Sequence, residues 1–493
     1  MAERSISKSK YLSGLQCSKL LWLYYNAKDQ IPEYDAATQA IFDQGHEVGN
    51  LAKKLYPHGV EVEWDLKRDE IITQSLELLK LRKPLFEAGF LSGGAYARVD
   101  ILDPVAGGKW DIVEVKSSTE PKDVNYHDLA LQKYCYEGVG ISIRKCRLMH
   151  INSKYVRDGS VEPEKLFAVA DVTAEVRKCS KGIAGRVENM LKLIGAKKCP
   201  AVDIGPHCTD PYECPMMAVC WAKVNECEDN IFTLTRLGAK AWPLYLDGIV
   251  KNADIPANFH LTGKQQIQVE AEKTGKPHVD IVAIREFLDK LIYPLYFLDF
   301  ETFQTAIPLV DGTSPYEQIP FQFSLHISRQ LERKPEHVSW LWEGQGDPRI
   351  ELLKELKKAL GSKGSIISFN APFEQRIMRS CVTGYPEYGK WFDGVLARHV
   401  DLLQPFRAYA YYNPSQHGSA SMKQVLPALT GKSYEDLEIQ NGGQASEEFK
   451  RVTFRNDITS EDRTKVRNDL EEYCGLDTMG MVDIVQELMK PAK

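Results

Sequence analysis

The stretch 292-IYPLYFLDFETF-303 constrains the fold more than any other part of the chain. Its apolar run reads as a buried strand. Side chains two apart on a strand share a face, so Asp299 and Glu301 would be buried together. Each unpaired carboxylate would cost several kcal/mol there. The strand therefore needs partners for its acids, either capped groups or a metal ion.

The residues that follow offer such partners. The segments 319-IPFQFSLHI-327, 337-HVSWLW-342 and 364-GSIISFN-370 read as strands, and 348-PRIELLKELKKAL-360 as a helix. A further helix opens at 370-NAPFEQRIM-378, with Glu374 in its first turns. A long amphipathic helix over 467–488 carries Tyr473 and Asp477, which are four apart and share a face. Four acids, Asp299, Glu301, Glu374 and Asp477, thus come from three separate segments that can aim at one point. Two dications about 4 Å apart would neutralise them and clamp the attacking and leaving oxygens of a phosphodiester. Tyr473 could orient the attacking water. The plainer readings are a solvated strand end and ordinary helix decoration. Asp401 and Lys423 are placed either near this site or at the core edge and surface.

The N-terminal half has its own pattern. Ile41, Val48, Leu51, Ala52 and Leu55 fall at helical spacing, and 59-GVEVEW-64 is a short strand candidate. The segments 94-GAYARVDIL-102 and 110-WDIVEVKSS-118 read as two strands, joined through Asp103-Pro104 and Gly107-Gly108. The segment 124-VNYHDLALQKYCYEG-138 reads as a helix and 145-KCRLMHIN-152 as a strand. Asp100 closes one central strand, and Glu114 and Lys116 share a face on the next. Two carboxylates and an ammonium at a sheet's open end can bind Mg²⁺ or Mn²⁺ and set a water against phosphate. Lys116 would hold the attacking hydroxide or balance transition-state charge. On a surface strand, a Glu-x-Lys triplet is otherwise a simple ion pair.

Cys208, Cys214 and Cys220 are evenly spaced in 207-HCTDPYECPMMAVCWAK-223, and Cys17 lies far upstream. Four such thiolates can enclose a [4Fe–4S] cluster. Zinc is the rival, although it is more usual in tighter C-x₂₋₄-C knuckles. Buried apolar cysteines are the third option. The remaining cysteines, Cys474 among them, read as packing residues.

Three resemblances attach to these residues. Asp100 with Glu114-Val115-Lys116 resembles the core of the PD-(D/E)XK nucleases. Gln132 and Tyr136 match the QxxxY motif of their RecB-like branch, whose helix helps to position nucleic acid. That branch carries a His four residues after a Gly in the first helix. Here Gly49 stands at that place, so His46 or Glu47 becomes the expected ligand. The cysteine set resembles iron–sulfur nucleases of the AddB type and of CRISPR spacer acquisition. Asp299/Glu301 and the Tyr473…Asp477 pair resemble the tyrosine branch of the DEDD (DnaQ-like) 3′–5′ exonucleases, of ribonuclease H-like fold. The stretch 370-NAPFE-374 departs from their middle motif by Glu for Asp, which shifts the carboxylate by about one C–C bond.

The resemblance implies an α/β protein in three parts: an iron–sulfur PD-(D/E)XK domain over 1–225, a mainly helical connector over 226–290, and an exonuclease domain over 291–493. It implies a metal-dependent nuclease with two sites, Mg²⁺ or Mn²⁺, a structural [4Fe–4S] cluster at Cys17, Cys208, Cys214 and Cys220, and nucleic acid as partner, DNA ahead of RNA. The metal ligands would be His46, Asp100 and Glu114 at one site, and Asp299, Glu301, Glu374 and Asp477 at the other. The alternative is a single-site exonuclease whose N-terminal region is a non-catalytic nucleic-acid clamp. A purely structural protein with zinc at the cysteines is the remaining reading.

Composition bounds these readings loosely. At 493 residues the chain exceeds one ordinary domain, and 43% hydrophobic with 26% charged residues is globular usage. The polar N-terminus and the lack of a spanning apolar run suggest a cytoplasmic protein with no membrane partner. A net charge of −6 does not advertise nucleic-acid binding, but local basic strips or bound cations can attract phosphate.

Overall fold

A computed structural model describes residues 4–63, 65–330 and 333–492. The chain is mixed α/β and divides into two compact units, Met1–Ala222 with Thr305–Glu317, and Lys223–Gln304 with Gln318–Lys493. The 226–290 segment falls in the second unit, with helices Ala241–Leu246, Gly263–Thr274 and Ile281–Leu288.

The first unit is built on a six-stranded sheet ordered Val60–Glu61, Leu85–Phe86, Ile101–Pro104, Trp110–Lys116, Ile143–Ile151, Phe167–Asp171. The 59–64 strand is thus shorter than expected, and Trp64 lies outside the described residues. The Trp110–Lys116 strand is central, antiparallel to Ile101–Pro104 and parallel to Ile143–Ile151. The segment 94–102, expected as one strand, is two. Ala95–Arg98 belongs to a separate three-stranded sheet with Gly89–Ser92 and Ile6–Ser7, whereas Ile101–Pro104 joins the main sheet. Asp100 sits at the point where the chain changes sheets.

Helix Asp123–Gly138 packs its apolar side into the core, where Tyr136 meets Phe90 edge to face at 4.8 Å. Helix Ala36–Lys53 is started by Asp35, whose carboxylate accepts from the Thr38 amide at 2.8 Å. Helices Lys8–Gln16 and Ser18–Asn26 meet at Cys17, which ends one and precedes the other.

The second unit holds a five-stranded sheet ordered Glu336–Leu341, Ile319–Ser328, Leu295–Phe303, Ile366–Ser368, His399–Asp401. The first three strands are antiparallel neighbours, and the last two run parallel to Leu295–Phe303. Period-two alternation divides the residues of the central strand. Tyr296, Leu298 and Phe300 enter a core that also draws on helices Pro348–Ala359, Ala371–Gly384 and Gly389–Leu396. The alternate positions, Asp299 and Glu301 among them, face the side where helices Gly442–Phe454 and Ser460–Ala492 pack. At the end of that face Phe303 stacks with Trp342 and Phe449, and each such aromatic pair adds about 0.5–1.5 kcal/mol beyond its buried area. A bulge in the strand pairing falls between Glu301 and Thr302.

Candidate functional site

The second unit gathers the acids expected from the sequence. Asp299, Glu301 and Cys474 bring their ligand atoms within 4.8 Å of one another, the one such set of three among the described His, Cys, Asp and Glu residues. Glu301 and Glu374 are 7% and 2% exposed, so water cannot screen them. Burial pushes Asp299, Glu301 and Glu374 well above the usual carboxylate range, and their mutual repulsion adds to it. Burial raises Asp477 to about 6, against the pull of Tyr434, Lys423 and Tyr473. Glu374 Oε2 is buried without a hydrogen-bond partner. Gly442 leaves room for Glu301, since a Cβ there would lie 3.3 Å from its Oε2.

Three residues round this site were not assigned to it from the sequence. Tyr434, in the segment before helix Gly442–Phe454, donates to Asp477 Oδ1 at 2.5 Å. Cys474, expected only to pack, directs its thiol at Asp299 Oδ2 at 3.8 Å, and burial holds that thiol protonated. Burial lowers the Lys423 ammonium below its usual range, against the nearby charges of Asp477 and Glu301. Its place at the site resolves one of the two open positions. Asp401 also lies beside the site, where its charge raises Glu374, but its own oxygen is taken up by the backbone. Its Oδ1 accepts the amides of Asn370, Ala371 and Leu403 at 3.0, 3.3 and 3.1 Å, so it caps the start of the Glu374 helix. Asn370 there is left-handed, with φ of 81°, a conformation that asparagine tolerates.

The first unit holds a cleft of about 690 Å³ lined by Lys8, His46, Lys53, Glu87, Arg98 and Asp100, among others. Asp100 Oδ2 accepts the Val115 amide at 2.6 Å. Glu114 lies behind the cleft, 1% exposed, with both oxygens engaged. Its Oε1 meets Lys116 at 2.6 Å and Lys8 at 2.9 Å, and its Oε2 accepts from Gln132 at 2.6 Å. Burial and Asp100 push Glu114 up, but Lys116 and Lys8 outweigh them, and its carboxyl stays below its usual range. Lys116 also meets Asp128 at 3.0 Å. Asp128 stands one helical turn before Gln132, a spacing that could have revealed it. Lys8 has no comparable signal in the sequence. Tyr136 does not reach the cleft: it is fully buried and donates to the Ala88 carbonyl. Glu87 faces Asp100, and burial with that neighbour's charge raises it to about 7.

Cys17, Cys208, Cys214 and Cys220 line one cavity with Leu20, Ile204, Met216 and Met217. Lys19 donates to Cys220 Sγ at 3.3 Å. Among the described residues, no three of these sulfurs lie within 4.8 Å of one another.

Fold and site together define a mixed α/β protein with two clusters of buried and half-buried acids and a four-cysteine pocket. Residues 296–421 match the family described as "Domain of unknown function (DUF2779)", which takes in the strand of Asp299 and the helix of Glu374. The chain is also similar to "Uncharacterized protein MG366" of Mycoplasma genitalium, 26% identical over 264 residues, or 48% of this chain and 38% of that protein. Its homolog in Mycoplasma pneumoniae is 25% identical over 212 residues, 38% of this chain and 31% of that protein. The chain therefore spans well under half the length of either relative.

Proposed function

We propose that the protein is a metal-dependent nuclease hydrolysing phosphodiester bonds in nucleic acid, DNA ahead of RNA, with a 3′–5′ exonuclease site at Asp299, Glu301, Glu374 and Asp477. The observation that carries this reading is uncompensated charge. Four acids, Glu301 and Glu374 buried and Asp299 and Asp477 half-buried, crowd one another, with Lys423 acting on Glu301 and Asp477 and Arg376 on Glu374, and one Glu374 oxygen lacks a hydrogen-bond partner. Such a cluster is stable in its ionised form only with added positive charge. Hard oxygen donors of this kind suit Mg²⁺ or Mn²⁺. Dications there would supply the charge that activates a water and stabilises the leaving oxygen. Tyr473 and Tyr434 orient Asp477, and the helix start at Gly442 leaves Glu301 open to the site. The strand order, three antiparallel strands followed by two parallel ones, supports a ribonuclease H-like core.

At the first site Asp100, Glu114 and Lys116 carry the PD-(D/E)XK reading, with His46 on the cleft wall. The cavity that Cys17, Cys208, Cys214 and Cys220 line together supports the reading of a [4Fe–4S] cluster held by four thiolates. Zinc, which takes four thiolates but more usually from tighter C-x₂₋₄-C knuckles, is the rival. A second reading, exonuclease alone with an N-terminal clamp, is favoured by the ion pairs that already neutralise Glu114.

The deciding experiment uses end-labelled single-stranded DNA and RNA with Mn²⁺, comparing the full chain with Lys116→Ala and Asp477→Ala. Loss of activity in both variants fits two working sites. Loss in Asp477→Ala alone selects the clamp reading. Intact substrate with the unaltered protein would sink both.

A further inference from the structure

Lys8 stands between the open cleft and the carboxylate of Glu114. Its side chain lines the cleft and is 26% exposed, whereas Glu114 is 1% exposed. Its ammonium lies 2.9 Å from Glu114 Oε1 and 3.6 Å from Asp128 Oδ1. Lys116 holds the same two acids from its own side, at 2.6 and 3.0 Å. Glu114 Oε2 is taken by Gln132. An ion entering the cleft therefore meets Asp100 and Glu87 first, and reaches Glu114 only by displacing Lys8.

Lys8 is also fixed in place. Strand Ile6–Ser7 pairs in register with Ala95 and Tyr96, Ile6 and Tyr11 are fully buried, and the helix begins at Lys8 itself. The charge count at this centre differs from that of the second site. Asp100, Glu114 and Asp128 face two ammonium groups, whereas Asp299, Glu301, Glu374 and Asp477 crowd together beside Lys423.

We propose that Lys8 is a built-in cation of the first site: its ammonium takes the place beside Glu114 and Asp128 that a second dication would fill, and leaves room for a single dication at Asp100. This inference rests on the nuclease-type reading of the first site. It makes that site a one-ion centre in a protein whose other site is built for two. A fixed ammonium balances charge without exchanging with solvent, so the first site would respond to Mg²⁺ or Mn²⁺ with no cooperativity, and the second with it.

The test is Mn²⁺ binding to the full chain, read by electron paramagnetic resonance, in an Asp299→Asn/Asp477→Asn background that empties the second site. The expected result is about one tight equivalent, lost on adding Asp100→Asn, and about two on adding Lys8→Met. Lys8→Arg, which keeps the charge, should stay at one and shows that the change is not caused by misfolding. Two equivalents with Lys8 in place, or one with Lys8→Met, would overturn the proposal. No Mn²⁺ in any of these proteins would remove the metal reading of the first site altogether, and the proposal with it, while leaving the second site to its own assay.

Discussion

Tyr434 donates a 2.5 Å hydrogen bond to Asp477, from a segment 43 residues away in sequence. Two tyrosines thus serve one carboxylate, Tyr473 from the helix of Asp477 itself and Tyr434 from outside it. Their rings lie 6.0 Å apart. Each bond favours the ionised acid and so lowers its pKa against the effect of burial.

Replacing Tyr434 by Phe removes one of those bonds and lets Asp477 rise above about 6. A carboxylate that holds its proton more firmly binds metal less well at mildly acid pH. The Mn²⁺ concentration for half-maximal activity at pH 6.5 should then increase several-fold in Tyr434→Phe, and much less at pH 8. An equal shift at both pH values would contradict this role.

Removing one acid should separate catalysis from stability. Asp477→Asn is expected to lower hydrolysis by about 10²-fold or more, since a ligand and charge are lost. The same change relieves repulsion with Asp299 and Glu301. In EDTA its melting temperature should therefore equal or exceed that of the unaltered protein. A clearly lower one would show that the acids are paired in some other way.

The pH dependence of the metal-free protein follows from the same cluster. Asp477 is raised to about 6, and Asp299, Glu301 and Glu374 also stand well above the usual range. The unfolded chain releases these protons near pH 4. Between about pH 4 and 6 the folded state therefore binds more protons, and stability falls as pH rises. In EDTA the protein should melt at a higher temperature at pH 5 than at pH 7.5. Mg²⁺ at pH 7.5 should recover much of the difference.

The cysteines divide by environment. Burial pushes the Cys135 and Cys146 thiols up to about 12, so iodoacetamide at pH 8 should leave them unmodified in the native protein. Cys199 is exposed and should react. Anaerobically purified protein should hold about four iron atoms per chain and absorb near 400 nm. Cys214→Ser should lose that colour. One zinc per chain and no colour would refute the cluster.

Asp401 was one of two positions the sequence left open; it neighbours Glu374 and caps the start of that helix. Asp401→Ala leaves three amides without their acceptor and should cost about 1–3 kcal/mol of stability. Thermal melting checks the cost, and Mn²⁺ affinity should change less than in Asp477→Asn.

The long-period features were legible in the sequence. Alternation in 295–303 put Asp299 and Glu301 on one face, and helical spacing paired Tyr473 with Asp477. Local patterns could not reveal the change of sheet at Asp100, because 94–102 has the composition of one continuous strand. Which residues pair with which is decided by distant chain, here Ile6–Ser7 and Gly89–Ser92. Lys8 and Tyr434 escaped for a related reason. Each reaches its acid across a large gap in sequence, 106 residues for Lys8 and 43 for Tyr434, where periodicity carries no information. Tyr136 shows the converse. A motif match placed it at the site, whereas its hydroxyl serves the core.

Helix Lys8–Gln16 joins two places that otherwise have nothing in common. One end carries the ammonium that guards Glu114, and Cys17, in the sulfur-lined pocket, terminates the other. Nine residues make a strut of about 13 Å. A change in the pocket would reach the cleft along this strut as lost leverage, so Cys17→Ser should blunt the first site before the second.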